Sequence, residues 1–202
     1  STLFPYTTLF RSSMFHNVTM LDKDGNQGHS YPNCFLERAN GDVLVGTSGL
    51  GLMKFKDLKT ACQEKGPLAS IHTINSMIED RMGVLWIVTD NMGLISYDGK
   101  KVKRYLKENP DLLFTCLCEG ADGIVYAGTT NGAVFRMQND TFVHIDETYN
   151  NSVSALFCDH DGMIVIGYDG KGVALYDPRS REFIANPFFS LEVDLSISKV
   201  YS

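Results

Sequence analysis

Few of the residue types that do chemistry stand together in this chain. Five histidines, His16, His29, His72, His144 and His160, are scattered along it. Asp159-His160-Asp161 sets three metal-ligating types side by side, but it follows an apolar run as a short polar turn and reads as solvated. Asp22-Lys-Asp-Gly-Asn26 has the opening of a calcium loop. Its sixth position is Gln27 instead of glycine and its twelfth is Asn33 instead of glutamate, so the sharp bend and the bidentate carboxylate are both missing. Neither a nucleophile elbow nor a phosphate-cradling loop is present. Catalytic residues, metal ions and cofactors are therefore not expected.

The cysteines are Cys34, Cys62, Cys116, Cys118 and Cys158. Cys116 and Cys118 share one face of a predicted strand, which is not the two-residue gap of zinc and redox sites. Cys34 and Cys116 each precede a recurring glycine by seven residues. They read as small buried thiols in a tight position. An odd count without regular spacing gives no disulfide framework.

The elements that must position any site show themselves as a repeat. Four stretches match: Asn40-Gly-Asp-Val-Leu-Val-Gly-Thr47, Met82-Gly-Val-Leu-Trp-Ile-Val-Thr89, Asp122-Gly-Ile-Val-Tyr-Ala-Gly-Thr129 and Asp161-Gly-Met-Ile-Val-Ile-Gly-Tyr168. Their leading glycines, Gly41, Gly83, Gly123 and Gly162, are 42, 40 and 39 residues apart, and Gly51, Gly93, Gly132 and Gly172 keep step after them. Short strands repeating at this period mean an all-β chain built as a β-propeller, each copy being one four-stranded antiparallel blade. The expected blades lie at about 31–60, 71–106, 113–146 and 152–185, within a partial propeller over residues 13–202. Residues 14–19 read as the outer strand of a further blade, and 193–202 as the opening strand of another.

Four blades are expected to leave an open arc whose two end blades show an apolar face. Trp86 and its equivalents Leu44, Tyr126 and Val165 are expected to fill the layers between blades. Gly46, Gly128 and Gly167 interrupt the second strand at one repeat position, the mark of a bulge or a close approach; Val88 departs from them.

Residues 1–12 do not fit the repeat. All twelve agree with the translation of a common sequencing-library adapter, so they are set aside from the fold as a non-native scar. A natural edge strand or disordered stretch is the alternative. Together with the abrupt last repeat, this leads to the expectation that the chain is a fragment of a longer protein.

Composition bounds the partners. At 44% hydrophobic residues and 18 glycines, the 202-residue chain suits a strand-rich domain. Asp and Glu outnumber Lys and Arg by 24 to 18, which argues against nucleic acid, since phosphates need clustered basic groups. No run approaches the length of a membrane span, so no membrane contact by this segment is expected.

The second copy, Ile74-Asn-Ser-Met-Ile-Glu-Asp-Arg-Met-Gly-Val-Leu-Trp-Ile-Val-Thr-Asp-Asn-Met-Gly-Leu-Ile-Ser-Tyr97, resembles the two-component regulator propeller repeat. The family's Glu-Asp falls on Glu79 and Asp80, its Gly on Gly83, its Trp on Trp86, its Thr on Thr89, and its Gly-Leu on Gly93 and Leu94. Val88 replaces the usual glycine, and the other copies keep the glycines while losing the tryptophan. The resemblance implies the periplasmic sensor of a Bacteroidetes hybrid two-component regulator. Such regulators often answer to glycans. It also implies partners: the remaining blades and a neighbouring propeller of the parent protein.

On such a scaffold, ligands meet the loops at one end of the ring. There the sequence offers Asp90, Asn91, Asn131, Asp169 and Lys171 as candidate contacts to an oligosaccharide, with Tyr31 as a stacking face. The same types are also ordinary turn formers. Two rival readings stay open. One is a structural or protein-interaction propeller of a secreted protein. The other is a lyase-type propeller enzyme, which would need a histidine and an acid aimed into one central pocket.

Overall fold

The computed structural model describes residues 17–109, 111–145 and 150–184. Every repeat folds into a meander whose strands pair antiparallel in chain order. The first blade holds β3 (Pro32–Glu37), β4 (Val43–Thr47), β5 (Leu52–Asp57) and β6 (Thr60–Gln63), preceded by β1 (Thr19–Leu21) and β2 (Gln27–Gly28). The second holds β7 (Ile74–Glu79), β8 (Leu85–Thr89), β9 (Gly93–Tyr97) and β10 (Val102–Arg104). The third holds β11 (Phe114–Glu119), β12 (Val125–Thr129), β13 (Val134–Gln138) and β14 (Thr141–Ile145). The fourth holds β15 (Val153–Cys158), β16 (Ile164–Tyr168), β17 (Gly172–Asp177) and β18 (Glu182–Ile184). The first strands β3, β7, β11 and β15 pack in series, so the sheets stand side by side as an arc.

Local chemistry explains why each repeat closes into hairpins. The turn after the first strand needs a left-handed residue, and the leading glycine supplies it: φ is 79° at Gly83 and 82° at Gly162. Asp80 Oδ1 accepts the N–H groups of Met82 and Val84, both at 2.9 Å, and Asp159 repeats this with Asp161 and Met163. The next turn is clamped by a buried threonine. Thr89 Oγ1 donates to Gly93 O at 3.0 Å and accepts from Met92 N at 2.9 Å; Thr47 does the same with Gly51 and Leu50. Tyr168, fully buried, takes that position in the fourth blade.

Each inner strand carries a register break at one place, at Asn33, Asn75, Thr115 and Ser154. A bulge turns the side chain of its extra residue out of the ladder. Asn33 Nδ2 donates to Ile74 O of the next blade at 3.0 Å, and Thr115 Oγ1 to Val153 O of the next at 2.5 Å. Just beyond the break, Cys34 lies opposite Gly46, Ser76 opposite Val88, Cys116 opposite Gly128 and Ala155 opposite Gly167. A Cβ on Gly128 would sit 2.5 Å from Val153 Cγ1 and 3.0 Å from Cys116 Sγ, whereas on Gly167 its nearest neighbour would be 3.5 Å away. At Gly46 and Gly128 the glycine is thus required by Ile74 and Val153 of the next blade, whereas the second blade accommodates Val88 at this position, opposite Ser76. Gly128→Ala should cost about 1–3 kcal/mol through overpacking. Gly167→Ala should be close to neutral, and urea denaturation of the two variants compares them.

Three apolar layers lie between successive blades. Leu44 and Leu52 meet Ile74, Met77, Leu85, Ile87 and Ile95 in the first layer. Trp86, Val88 and Leu94 meet Phe114, Leu117, Val125 and Ala127 in the second. Tyr126 and Val134 meet Leu156, Ile164 and Ile166 in the third. Val165 is only half-buried on the far side of the fourth blade.

Two expectations need correction. Thr19 does not belong to a separate blade: β1 runs parallel to β6 and extends the first sheet, with Met20 beside Ala61. That pairing covers the backbone edge β6 would otherwise expose. The first blade therefore reaches Gln63 and is flanked by a hairpin. Its free face is also not uniformly apolar and open. Val45, Met53 and Ala61 are buried there with Met20, Leu50 and Phe55 packed against them, while Phe35 stays 64% exposed. The expectations for residues 1–12 and 193–202 lie outside the described residues.

Candidate functional site

Antiparallel meanders send the loops between second and third strands to one end of the arc, along with the connections between blades. Hydrogen bonds fasten each loop to the connection entering its own blade. Ser48 N donates to Tyr31 O at 3.0 Å, Thr130 N to Leu113 O at 2.9 Å and Asp169 N to Ser152 O at 2.8 Å. Gly51 N reaches the connection to the following blade, donating to His72 O at 2.8 Å.

The five sequence-derived candidates all sit exposed at this end, spread over the loops of the second, third and fourth blades. Three of them are committed locally. Asp90 accepts from Asn75 Nδ2, and Asn91 Nδ2 donates to Ser70 O at 3.4 Å. Asn131 Oδ1 accepts from Thr129 Oγ1 at 2.7 Å and from Ala133 N at 3.4 Å. Asp169 and Lys171 flank Gly170, and their side chains have no hydrogen-bonding partner among the described residues.

A recess among the described residues lies elsewhere. A cleft of about 620 Å³ opens on the first blade between β1, the connection into β3 and the loop after β4. Met20, Gly28, His29, Tyr31, Ser48 and Gly49 line it. Ser30 Oγ also lines it, buried and without a hydrogen-bond partner, and Tyr31 is 81% exposed. None of the five candidates reaches this cleft. Sequence reasoning singled out the Tyr31 ring but had no signal for the cleft, which Val18 and Met20 help to wall.

The remaining chemical candidates resolve into structure. Among the described residues no three His, Cys, Asp or Glu side chains gather to hold a metal ion. Asp159 is engaged by its turn, and His160 and Asp161 pair loosely at 3.4 Å in full solvent. Asp22 closes the β1–β2 hairpin, accepting from Asn26 N at 2.8 Å and Asp24 N at 2.9 Å. The Asn26 N–H leads in holding its carboxyl below the usual range. All five cysteines carry thiols. Burial pushes Cys116 up to about 12 and raises Cys118 and Cys158, so these thiols stay protonated and unreactive at neutral pH.

Glu79 of the second copy proves to be a seam residue. Glu79 Oε1 accepts from Arg38 Nε at 2.9 Å and Nη2 at 2.6 Å, and its Oε2 from Ala39 N at 2.7 Å. The next seam repeats the arrangement. Glu119 accepts from Arg81 Nε at 2.6 Å and Arg81 N at 3.1 Å. At the third seam Cys158 Sγ stands in for the carboxylate and accepts from Ala121 N at 3.2 Å.

No family model and no curated protein matches the chain. Solved structures do. Virginiamycin B lyase from Staphylococcus aureus, in a catalytically inactive form with quinupristin, is 14% identical, with a TM-score of 0.64 over 86% of this chain and 64% of its own. PorZ, a surface component of the type-IX secretion system of Porphyromonas gingivalis, is 18% identical, with a TM-score of 0.53 over 69% of this chain and 23% of its own. The extracellular domain of a B. thetaiotaomicron protein described as a hybrid two component system is also similar. It is 18% identical, with a TM-score of 0.44 over 78% of this chain and 30% of its own. The chain thus spans less than two thirds of the lyase's length. At such identities the likeness speaks for the architecture alone: the four sheets are blades of a β-propeller.

Proposed function

We propose that this chain is a stretch of the extracytoplasmic sensor propeller of a hybrid two-component signalling protein, and that it recognises a glycan-derived ligand without transforming it. One observation carries the reading. The residues of the second copy that resemble the sensor repeat each hold a defined post. Glu79 bridges the seam, Asp80 and Gly83 form the turn, Trp86 fills the layer, and Thr89 with Gly93 clamps the loop. The motif is satisfied as architecture, which leaves recognition to the loop end.

There, Asp169 and Lys171 offer an unengaged acceptor and donor beside the partly engaged Asp90, Asn91 and Asn131. Periplasmic placement follows from the same resemblance. No helix among the described residues is long and apolar enough to cross a membrane. Titration calorimetry of the chain against a panel of neutral and acidic oligosaccharides tests the reading. Binding heat is expected with at least one member, weakened about tenfold or more in a D169A/K171A variant. Absence of heat across the panel overturns it.

A further inference from the structure

A glycine behind an aspartate opens one spontaneous reaction. With no Cβ to shield it, the glycine nitrogen can close on the carboxyl carbon of the side chain before it. The chain holds five such pairs, at Asp24, Asp98, Asp122, Asp161 and Asp169. The reaction needs a glycine N–H free to attack and a carboxyl free to take up a proton and swing toward it. The fold withdraws one of these at four of the five pairs. Gly25 N donates to Asp22 O at 3.0 Å, Gly123 N to Gly120 O at 2.9 Å and Gly162 N to Asp159 O at 3.1 Å. At Asp98 the carboxylate itself is held. Its Oδ1 accepts from Lys101 N at 2.7 Å and Lys100 N at 2.8 Å, and the Lys101 N–H leads in keeping it below the usual carboxylate range.

Asp169-Gly170 is the exception. Asp169 is exposed and its carboxylate accepts from no group among the described residues. The Gly170 N–H donates to none of them either. The flanks of the pair are fastened: Asp169 N donates to Ser152 O at 2.8 Å, and Lys171 N to Tyr168 O at 3.3 Å. Gly170 takes φ of 67° at the tip between them. Nucleophile and electrophile are thus both unengaged, on a loop whose ends are pinned.

We propose that Asp169 is a modification site, at which the chain isomerises spontaneously to isoaspartate. The Gly170 nitrogen attacks Cγ of the protonated Asp169 carboxyl. A C–N bond forms, and the carboxyl hydroxyl leaves as water with the proton of the attacking amide. Water then adds to the resulting cyclic imide. Opening at the side-chain carbonyl restores aspartate. Opening at the main-chain carbonyl breaks its bond to the Gly170 nitrogen and leaves the backbone running through Cβ and Cγ. One water is lost and one regained, so mass is unchanged. The product loop is one carbon longer, and the turn that Lys171 N closes on Tyr168 O no longer fits it.

Peptide mapping of the full chain after prolonged warm incubation at mildly acidic pH decides the matter. A protease that cuts before aspartate but not before isoaspartate, with electron-transfer fragmentation, reads the conversion at each pair. Asp169 should convert about tenfold faster than Asp24, Asp122 or Asp161. In concentrated urea the four rates should fall within about threefold of one another, because the fold no longer holds the other glycines. D169N makes the comparison within a faster chemistry. It places an Asn-Gly pair beside the natural ones at Asn40 and Asn131, whose glycine N–H groups donate to Arg38 O at 2.8 Å and Thr129 O at 3.3 Å. Deamidation in D169N should be fastest at position 169. Conversion at Asp169 no faster than at the other pairs would overturn the proposal, as would a lead that persists in urea. The reaction needs no bound ligand, so it and the recognition reading can fail separately.

Discussion

Trp86→Ala is expected to lower the unfolding free energy by about 3–5 kcal/mol, the range for deleting a large buried aromatic from a packed layer. Trp86 is 6% exposed at the seam between the second and third blades. Its ring centroid lies 5.4 Å from that of Tyr105 and 5.8 Å from that of Phe142, with Phe142 edge-on. Tyr105 and Phe142 close the triangle at 5.3 Å. One ring therefore supports two others from different blades. Its Nε1 also donates to Asp80 Oδ2 at 2.7 Å, tying the layer to the turn. Trp86→Phe keeps most of the ring contact and loses that bond, so about 1–2 kcal/mol is expected. Because Trp86 is the chain's single tryptophan, urea denaturation followed by far-ultraviolet circular dichroism is the suitable measurement. A loss below about 1 kcal/mol for Trp86→Ala would mean that the seam does not carry the fold.

Glu79→Ala should cost about 2–3 kcal/mol, more than its third-blade counterpart Glu119→Ala, for which about 1 kcal/mol is expected. The difference comes from solvent. At the first seam the side chains of Arg38 and Glu79 are 25% and 10% exposed; at the second, those of Arg81 and Glu119 are 51% and 18% exposed. Removing Glu79 strands a half-covered guanidinium and the N–H of Ala39, and leaving such donors unpaired is the expensive part. A double-mutant cycle with Arg38→Ala isolates the pair's coupling. Coupling below about 0.5 kcal/mol would identify the contact as a solvent-screened surface pair that adds little to stability.

What the sequence disclosed, it disclosed through periodicity. The glycines of the first turn recur because each turn needs a left-handed residue, and Thr47 and Thr89 recur because their loops are clamped by a hydroxyl that both donates and accepts. Such local demands are written inside one repeat. The seam contacts are written across two. Nothing within the second copy says that Glu79 will meet Arg38, 41 residues earlier. Only laying the copies over one another aligns Glu79, Glu119 and Cys158 as answers to the same question. The outer strand of a further blade expected at residues 14–19 gives way at Thr19 to β1 of the first sheet for a related reason: a short apolar segment carries no mark of whether it edges its own sheet or a neighbour's. The binding residues were the least legible, since Asn131 serves its own turn as readily as it would serve a sugar.

The substitution of Cys158 for a carboxylate makes the arc electrically uneven. Two of its joints are clasped by ion pairs and the third by a neutral sulfur. Raising ionic strength screens the exposed Arg81 clasp most, the sheltered Arg38 clasp less, and the thiol joint hardly at all. Salt would thus slacken this molecule in its middle while leaving its last two blades bound as a unit.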